Sequence, residues 1–380
     1  GRKLILLLDG TKNELGRETT NIARLARVLA REDASQLVYY DPGVGTLPDA
    51  RFWTNLGRHA SQIIGYAFGA GLFDKVTRAY DFLMRHWEPG DQVYLFGFSR
   101  GAYTARAVCA VLQMFGLLRD GHQNLLPYVM RRFRTASKEI RRAADKTKTF
   151  WSYTDEIRNS FARPCEGSRD RRFPVHFLGL FDTVSSVGWF WDPVKLPYTA
   201  SLPNAATIRH AIAIDERRAF FRQHSVKLER GSRQDLQQLW FRGVHSDIGG
   251  GYDEQRGALW RVAFDWMVEE TRRAGLRFDE PALQAIRNTA ATSSPETEAI
   301  NRSLTFLWWP AELFPKLRWS ARFGRKLPMP NFARYRRLPK NAQLHPSVKS
   351  RRASQGEASD SPNLREFWKR PGGTDGSTDE

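Results

Sequence analysis

Short apolar runs alternate with amphipathic stretches through the first half of the chain. That alternation predicts a mostly parallel sheet covered by helices, an α/β architecture. Leu4 to Leu8 is an unbroken apolar run of strand length, closed by Asp9-Gly10-Thr11. From Asn21 to Ala30, the residues Ile22, Leu25, Ala26 and Leu29 recur at helical spacing, with Arg24, Arg27 and Arg31 expected to face solvent. Leu37 to Tyr40 predicts a second strand, ended by Asp41-Pro42-Gly43. Segment 45–71 is Gly-rich and polar and predicts a loop, and Leu72 to Trp87 a second helix. After a turn over 88–91, Val93 to Phe96 predicts a third strand and Ala102 to Met114 a third helix. Strands resume at Val175 to Leu178, continuing to Asp182, and at Leu239 to Phe241, with a helix over 257–273.

Three segments depart from this rhythm. Residues 119–172 are strongly basic and helical by pattern, and predict an insertion over the sheet within a domain spanning 1–290. Residues 291–348 predict an irregular extension packing on that domain. Within it, 316–340 carry nine Lys and Arg and no acid, interleaved with Trp319, Phe323, Phe332 and Tyr335. The tail 349–380 is polar and expected to be disordered.

Composition narrows the partners. In 380 residues, 59 Lys and Arg against 41 Asp and Glu give a formal charge of +18. That excess favours phosphate-bearing surfaces, among them an anionic membrane touched peripherally. Two cysteines, Cys109 and Cys165, exclude a disulfide framework and any Cys-rich metal site while leaving one bridge open. No apolar stretch is long enough to cross a membrane as a helix. No leader is visible, so synthesis in the cytoplasm is expected.

The candidate chemistry centres on Gly97-Phe98-Ser99-Arg100-Gly101, a G-x-S-x-G directly after a predicted strand and before a predicted helix. That setting is a nucleophile elbow: a strained turn presents the hydroxyl above the strand ends, and flanking glycines let strand and helix approach. An ordinary helix cap is the alternative. The partners should follow as acid, then histidine. Asp182 and His245 stand at the ends of later strands and complete a Ser-Asp-His order. Asp215 and Asp247 are rival acids, and His345, in Leu344-His-Pro-Ser-Val348, is the rival base. His176 and His210 read as packed residues. The amide of Arg100 is an oxyanion donor, with Gly10 and Thr11 as a second source or, equally, an Asx turn. Gly69-Ala-Gly71 lacks the third glycine of a dinucleotide site, and no P-loop or H-E-x-x-H occurs. No cofactor or metal is expected.

These blocks together resemble a known family. Leu8-Asp-Gly-Thr-Lys-Asn13, Thr20-Asn-Ile-Ala-Arg-Leu25, Tyr40-Asp-Pro-Gly-Val-Gly45, the run from Gly90 to Arg106, Phe181-Asp-Thr-Val184, Ala213-Ile-Asp-Glu-Arg217 and Trp240 to Tyr252 occur in order. The chain is similar to the DUF2235 α/β-hydrolase domains, which include the Tle1-type phospholipase effectors of type VI secretion. The resemblance implies an α/β-hydrolase-like core, Ser99 as nucleophile, and hydrolysis of carboxylic esters with phospholipids as substrate class. It also implies export by a type VI secretion system, with a secretion-system component or an immunity protein as partner. Two rivals stay open at this point. One is a basic anion- or nucleic-acid-binding protein on a hydrolase scaffold, although nucleic acid has no use for an ordered Ser, Asp and His. The other is a metal-dependent hydrolase using Asp9, Asp182 and His245.

Overall fold

The computed structural model of the chain describes residues 1–10, 19–31, 34–43, 58–140, 144–164, 172–184, 196–219, 221–252, 259–289, 294, 296–306, 309–313, 316–320 and 325–370. Strands β1 (Lys3–Leu8), β2 (Gln36–Asp41), β3 (Gln92–Phe98), β4 (Val175–Phe181), β5 (Ala205–Ala213), β6 (Asp235–Phe241) and β9 (Gln343–Leu344) form one sheet in the order β2-β1-β3-β4-β5-β6-β9. Neighbouring strands are parallel throughout. The fold is α/β-hydrolase-like.

The continuous apolar runs follow from burial on both faces. Leu4, Leu6 and Leu8 of β1 join one core with α2 (Arg58–His86) and α3 (Arg100–Phe115). Ile5 and Leu7 join the opposite core with α1 (Asn21–Val28), α7 (Trp260–Arg273) and α8 (Glu280–Thr289). The strand order reverses between β1 and β3, so a crevice opens at their C-terminal ends, where Asp9 and Ser99 stand.

The insertion folds as α4 (Leu126–Ile140) and α5 (Ala144–Phe161). These helices rest on α2 and α3 through Val129, Phe133, Phe150 and Ile157, as an outer layer. The α2 helix begins at Arg58, within the segment expected to be loop, and the loop expectation for 44–57 lies outside the described residues. Helix α6 (His245–Gly249) follows β6. The basic stretch contains an antiparallel hairpin, β7 (Lys316–Ser320) and β8 (Arg325–Met329), preceded by α9 (Trp309–Leu313).

Two further expectations are corrected, and one strand escapes the pattern. Arg24 does not face solvent: it is buried, its guanidinium lies 3.4 Å from the centre of the Trp260 ring, and it donates to the Thr19 carbonyl. β5 escapes the hydrophobic pattern because Arg209 and His210 interrupt its apolar residues. The tail is ordered at least to Arg370: α10 (Pro346–Gln355) and α11 (Pro362–Trp368) pack Val348, Leu364 and Phe367 against Ile212, Ile214 and Trp240. Residues 371–380 lie outside the described residues. Burying a side chain such as Leu364 or Phe367 contributes roughly 2 kcal/mol, enough to fix a short helix that propensity alone leaves marginal. Cys109 is a buried free thiol, and Cys165 lies outside the described residues.

Candidate active site

Strand β3 delivers Ser99 into a turn that an L-residue adopts at a cost. Its backbone sits at φ 58 and ψ −119, in the half of conformational space that favours glycine. The two flanking glycines are required by space. A Cβ on Gly101 would stand 2.0 Å from the Leu8 carbonyl oxygen, and one on Gly97 would stand 2.4 Å from the Gly101 carbonyl oxygen. β1, β3 and α3 therefore meet backbone to backbone beneath the serine. The Ser99 amide donates to the Phe181 carbonyl at 3.1 Å, which ties the turn to the end of β4.

Asp182 is the next residue along β4, also at positive φ (37). It is fully buried. Its Oδ1 accepts from the Ala213 amide at 3.0 Å, and its Oδ2 lies 2.6 Å from His245 Nδ1. His245 Nε2 lies 2.8 Å from Ser99 Oγ. Ser99, His245 and Asp182 thus form one hydrogen-bonded chain. The imidazole is held between the rings of Phe98 and Phe221, both 4.7 Å away centre to centre. The His245 amide donates to Glu216 Oε2 at 3.2 Å.

The charges decide the tautomer. Burial alone would push the Asp182 carboxyl up. Arg336 and His245 reverse that and hold it well below the ordinary carboxylate range. An ionised carboxylate only accepts, so Nδ1 carries the imidazole proton and Nε2 faces Ser99 with its lone pair. Burial lowers the His245 pKa, opposed by Asp182, which favours this neutral form. Glu216, pulled down to about 2 by Arg218 against the effect of burial, adds a second fixed negative charge at the histidine backbone.

The rivals lie elsewhere. Asp247 caps its own helix, accepting from the Val244 amide at 2.9 Å and from Asn301 Nδ2 at 2.7 Å, and burial raises its pKa to about 6. Asp215 accepts from the Gly243 amide at 2.7 Å and from Arg242. His345 caps α10 through Ser347 and stacks on Phe241, 4.4 Å centre to centre. It borders a polar cleft of about 490 Å³ with Arg261, Asp265 and Trp266, and none of Ser99, Asp182 and His245 lines that cleft. His210 is packed inside β5, bonded to the Thr183 amide and to Gln238. His176 packs on Tyr94.

Two oxyanion expectations can be placed. Arg100 is the first residue of α3, so its amide opens a helix N-terminus beside Ser99. The Gly10 amide is turned onto the neighbouring Asp9 Oδ1 at 2.7 Å, and Thr11, whose amide an Asx turn at Asp9 would use, lies outside the described residues. Asp9 is not brought to Asp182 and His245. Its carboxylate accepts from Thr20 Oγ1 at 2.5 Å and Tyr40 Oη at 3.1 Å, and the described residues contain no metal-holding cluster of three His, Cys, Asp or Glu.

Sequence reasoning missed two contributors. Asn21 donates to the carbonyls of Ile248 at 2.9 Å and Trp260 at 3.1 Å, so α1 holds the short helix α6 that begins with His245, and the start of α7. The block Thr20 to Leu25 was the available signal. Arg336, counted as one more surface charge in the basic stretch, is buried against Asp182. Nothing local distinguishes it from Arg334 or Arg337.

Sheet order, strand-end serine and its two partners define the class, an α/β-hydrolase-like domain with a serine at the elbow. A family model described as "T6SS, Phospholipase effector Tle1-like, catalytic domain" matches residues 2–270, and the chain belongs to that family. An "Uncharacterized protein YEL023C" of Saccharomyces cerevisiae is 33% identical over 230 residues, covering 59% of this chain and 32% of its own. An uncharacterized protein from Pseudomonas aeruginosa, known as a crystal structure, matches with a TM-score of 0.43 and 21% identity over 78% of this chain and 49% of its own. The Tle1 effector in its complex with the VgrG spike of the type VI secretion system matches with a TM-score of 0.35 and 21% identity, over 68% of this chain and 52% of its own. The chain spans about a third of the yeast relative and about half of each of these solved chains.

Proposed function

We propose that the chain is a serine ester hydrolase that cleaves acyl esters of phospholipids, with Ser99 as nucleophile, His245 as general acid and base, and Asp182 orienting the histidine. One observation carries this reading: the relay of 2.8 Å and 2.6 Å contacts from a serine on a strained strand-to-helix turn. Ser99 Oγ attacks the acyl carbonyl carbon while its proton passes to Nε2, and Asp182 stabilises the imidazolium. The oxyanion forms at the N-terminus of α3, within reach of the Arg100 amide. Collapse breaks the bond to the alcohol oxygen. Nε2 returns the proton to that oxygen, the lysophospholipid leaves, and the acyl group stays on Ser99. Water then attacks this ester with Nε2 as base and frees the fatty acid.

Family membership supports phospholipid as the substrate class. It also supports delivery by type VI secretion, with a component of that apparatus or an immunity protein as partner. A surface supports contact with an anionic bilayer. Phe306, Trp309, Leu313 and Phe332 are exposed large apolar side chains, with Arg334 and Arg337 exposed beside them in sequence. Buried Glu312 binds the amide of Ala333, joining α9 to the turn that presents Phe332. Trp319 and Phe323, interleaved with the basic residues of that stretch, have no described side chains, and Tyr335 lies under Arg217.

The test is reaction with a fluorophosphonate probe alongside release of fatty acid from phospholipid vesicles. Ser99→Ala should lose both. A Ser99→Ala variant that keeps near wild-type turnover of short-chain p-nitrophenyl esters overturns the assignment, and activity abolished by EDTA in a chain that takes no label favours a metal-dependent reaction.

A further inference from the structure

Asp182 is met by a side chain 154 residues further along, beyond the segment that the family model matches. Arg336 Nη1 donates to Asp182 Oδ1 at 2.5 Å and Nη2 donates to Oδ2 at 2.9 Å. The same guanidinium reaches the Phe221 carbonyl through Nε at 3.0 Å and the Ala213 carbonyl through Nη1 at 3.2 Å. Its donors therefore grip both the acid and the residue whose ring flanks His245. The backbone that carries it is pinned. Asn363 Nδ2 bridges the carbonyls of Arg336 and Ile214, and Leu338 is buried with Leu364 and Phe367.

Resting on the serine-hydrolase reading, we propose that Arg336 is a positioning residue: its planar fork locks the Asp182 carboxylate so that Oδ2 faces His245, and its charge sets how readily the Asp182–His245 pair takes a proton. A forked, bidentate contact fixes both oxygens of a carboxylate, which a point charge cannot do. The cation also repels a proton arriving at either partner, so removing it raises the apparent pKa of the pair whichever atom is protonated. Among the described residues, the other charged or titratable groups facing the pair are Glu216 and its partner Arg218 beyond β5, and His210 within β5. Asp247 turns its carboxylate to Val244 and Asn301. Arg336 is the cation in direct contact with Asp182 among the described residues.

The experiment measures the rate of fluorophosphonate labelling of the full chain from pH 5 to 9 for wild type, Arg336→Gln and Arg336→Lys, with a melting curve for each. Nε2 must be unprotonated for Ser99 to attack, so the acid limb reports the pair. In Arg336→Gln the limb should move up by about one pH unit, so that labelling falls several-fold, and at most about ten-fold, at the acid end near pH 5, while labelling near pH 8.5 loses little from this shift. Arg336→Lys keeps the charge and should keep the limb near wild type while the plateau rate drops, because the fork is gone. A limb unmoved in Arg336→Gln, with only a lower melting temperature, overturns the inference. Should Arg336→Gln not fold, an Arg336→Lys plateau equal to wild type overturns it. A wild-type chain that takes no label sinks the serine-hydrolase reading itself, which separates the two failures.

Discussion

The strained turn at Ser99 predicts an unusual pair of stabilities. Replacing Ser99 by alanine and by glycine removes the same hydroxyl and the same 2.8 Å contact with His245, so that loss cancels between the two variants. They differ in the Cβ atom. At φ 58 and ψ −119, alanine retains the strain of an L-residue in a glycine-like conformation, about 1–3 kcal/mol. Glycine relieves it but loses about 0.5–1 kcal/mol to its greater freedom in the unfolded chain. Ser99→Gly should therefore be more stable than Ser99→Ala by about 1 kcal/mol, within a range of about 0–2.5 kcal/mol, or up to roughly 3 °C in melting temperature for a chain of this size. Both should fail to label with fluorophosphonate. Urea unfolding followed by tryptophan fluorescence, paired with calorimetry, reads the difference. An ordinary helix cap also ranks glycine above alanine, but Ser99 makes no side-chain cap hydrogen bond, so the difference here rests on backbone strain, and an alanine variant as stable as the glycine variant, or more stable, refutes the strained elbow.

Three further outcomes follow from the geometry. Gly101→Ala should cost more than about 3 kcal/mol, seen as lost soluble yield, because its Cβ would lie 2.0 Å from the Leu8 carbonyl, whereas Gly71→Ala, with open space around its Cβ, should be neutral or slightly stabilising. Asp182→Asn should lower turnover about a thousand-fold or more by disturbing the tautomer, while Asp247→Asn and His345→Ala keep turnover near wild type; His345→Ala should lower stability by about 1 kcal/mol through the lost cap. If His345→Ala inactivates and His245→Ala does not, the base is misassigned. Flotation with vesicles should need anionic lipid, weaken with salt, and weaken further in Phe332→Ser with Arg334→Glu and Arg337→Glu, each arginine near the surface contributing about 1 kcal/mol; equal binding to neutral vesicles, or tighter salt-sensitive binding to DNA, counts against the membrane surface.

Much of the sheet was legible because its strands are buried on both faces, so Leu4 to Leu8 and Val93 to Phe96 read as unbroken apolar runs. Ser99, Asp182 and His245 were legible because each sits at a strand end, where chain order and turn residues mark the position. What stayed hidden depends on distant partners. Arg24 looks like a surface arginine until Trp260 is placed beneath it. Arg336 looks like its neighbours Arg334 and Arg337 until β4 and β5 are brought alongside. The helices α10 and α11 were masked by their polar composition, since Val348, Leu364 and Phe367 are few apolar residues among many charged ones. Their burial comes from contact with Ile212, Ile214 and Trp240, residues more than a hundred positions earlier.

The pinning of Arg336 from the far end of the chain has a consequence in time. Strands that pair in parallel wait for distant partners, and each such closure is slow relative to local structure. On a ribosome, Ser99, Asp182 and His245 emerge in that order, but β9, Arg336 and the Asn363 staple come later. A nascent chain halted near residue 300 would hold Ser99, Asp182 and His245 with the carboxylate still unclamped. If the chain cleaves phospholipid esters as proposed, such late closure would hold the site below its full activity during synthesis, while the chain is still surrounded by the membranes of the cell that makes it.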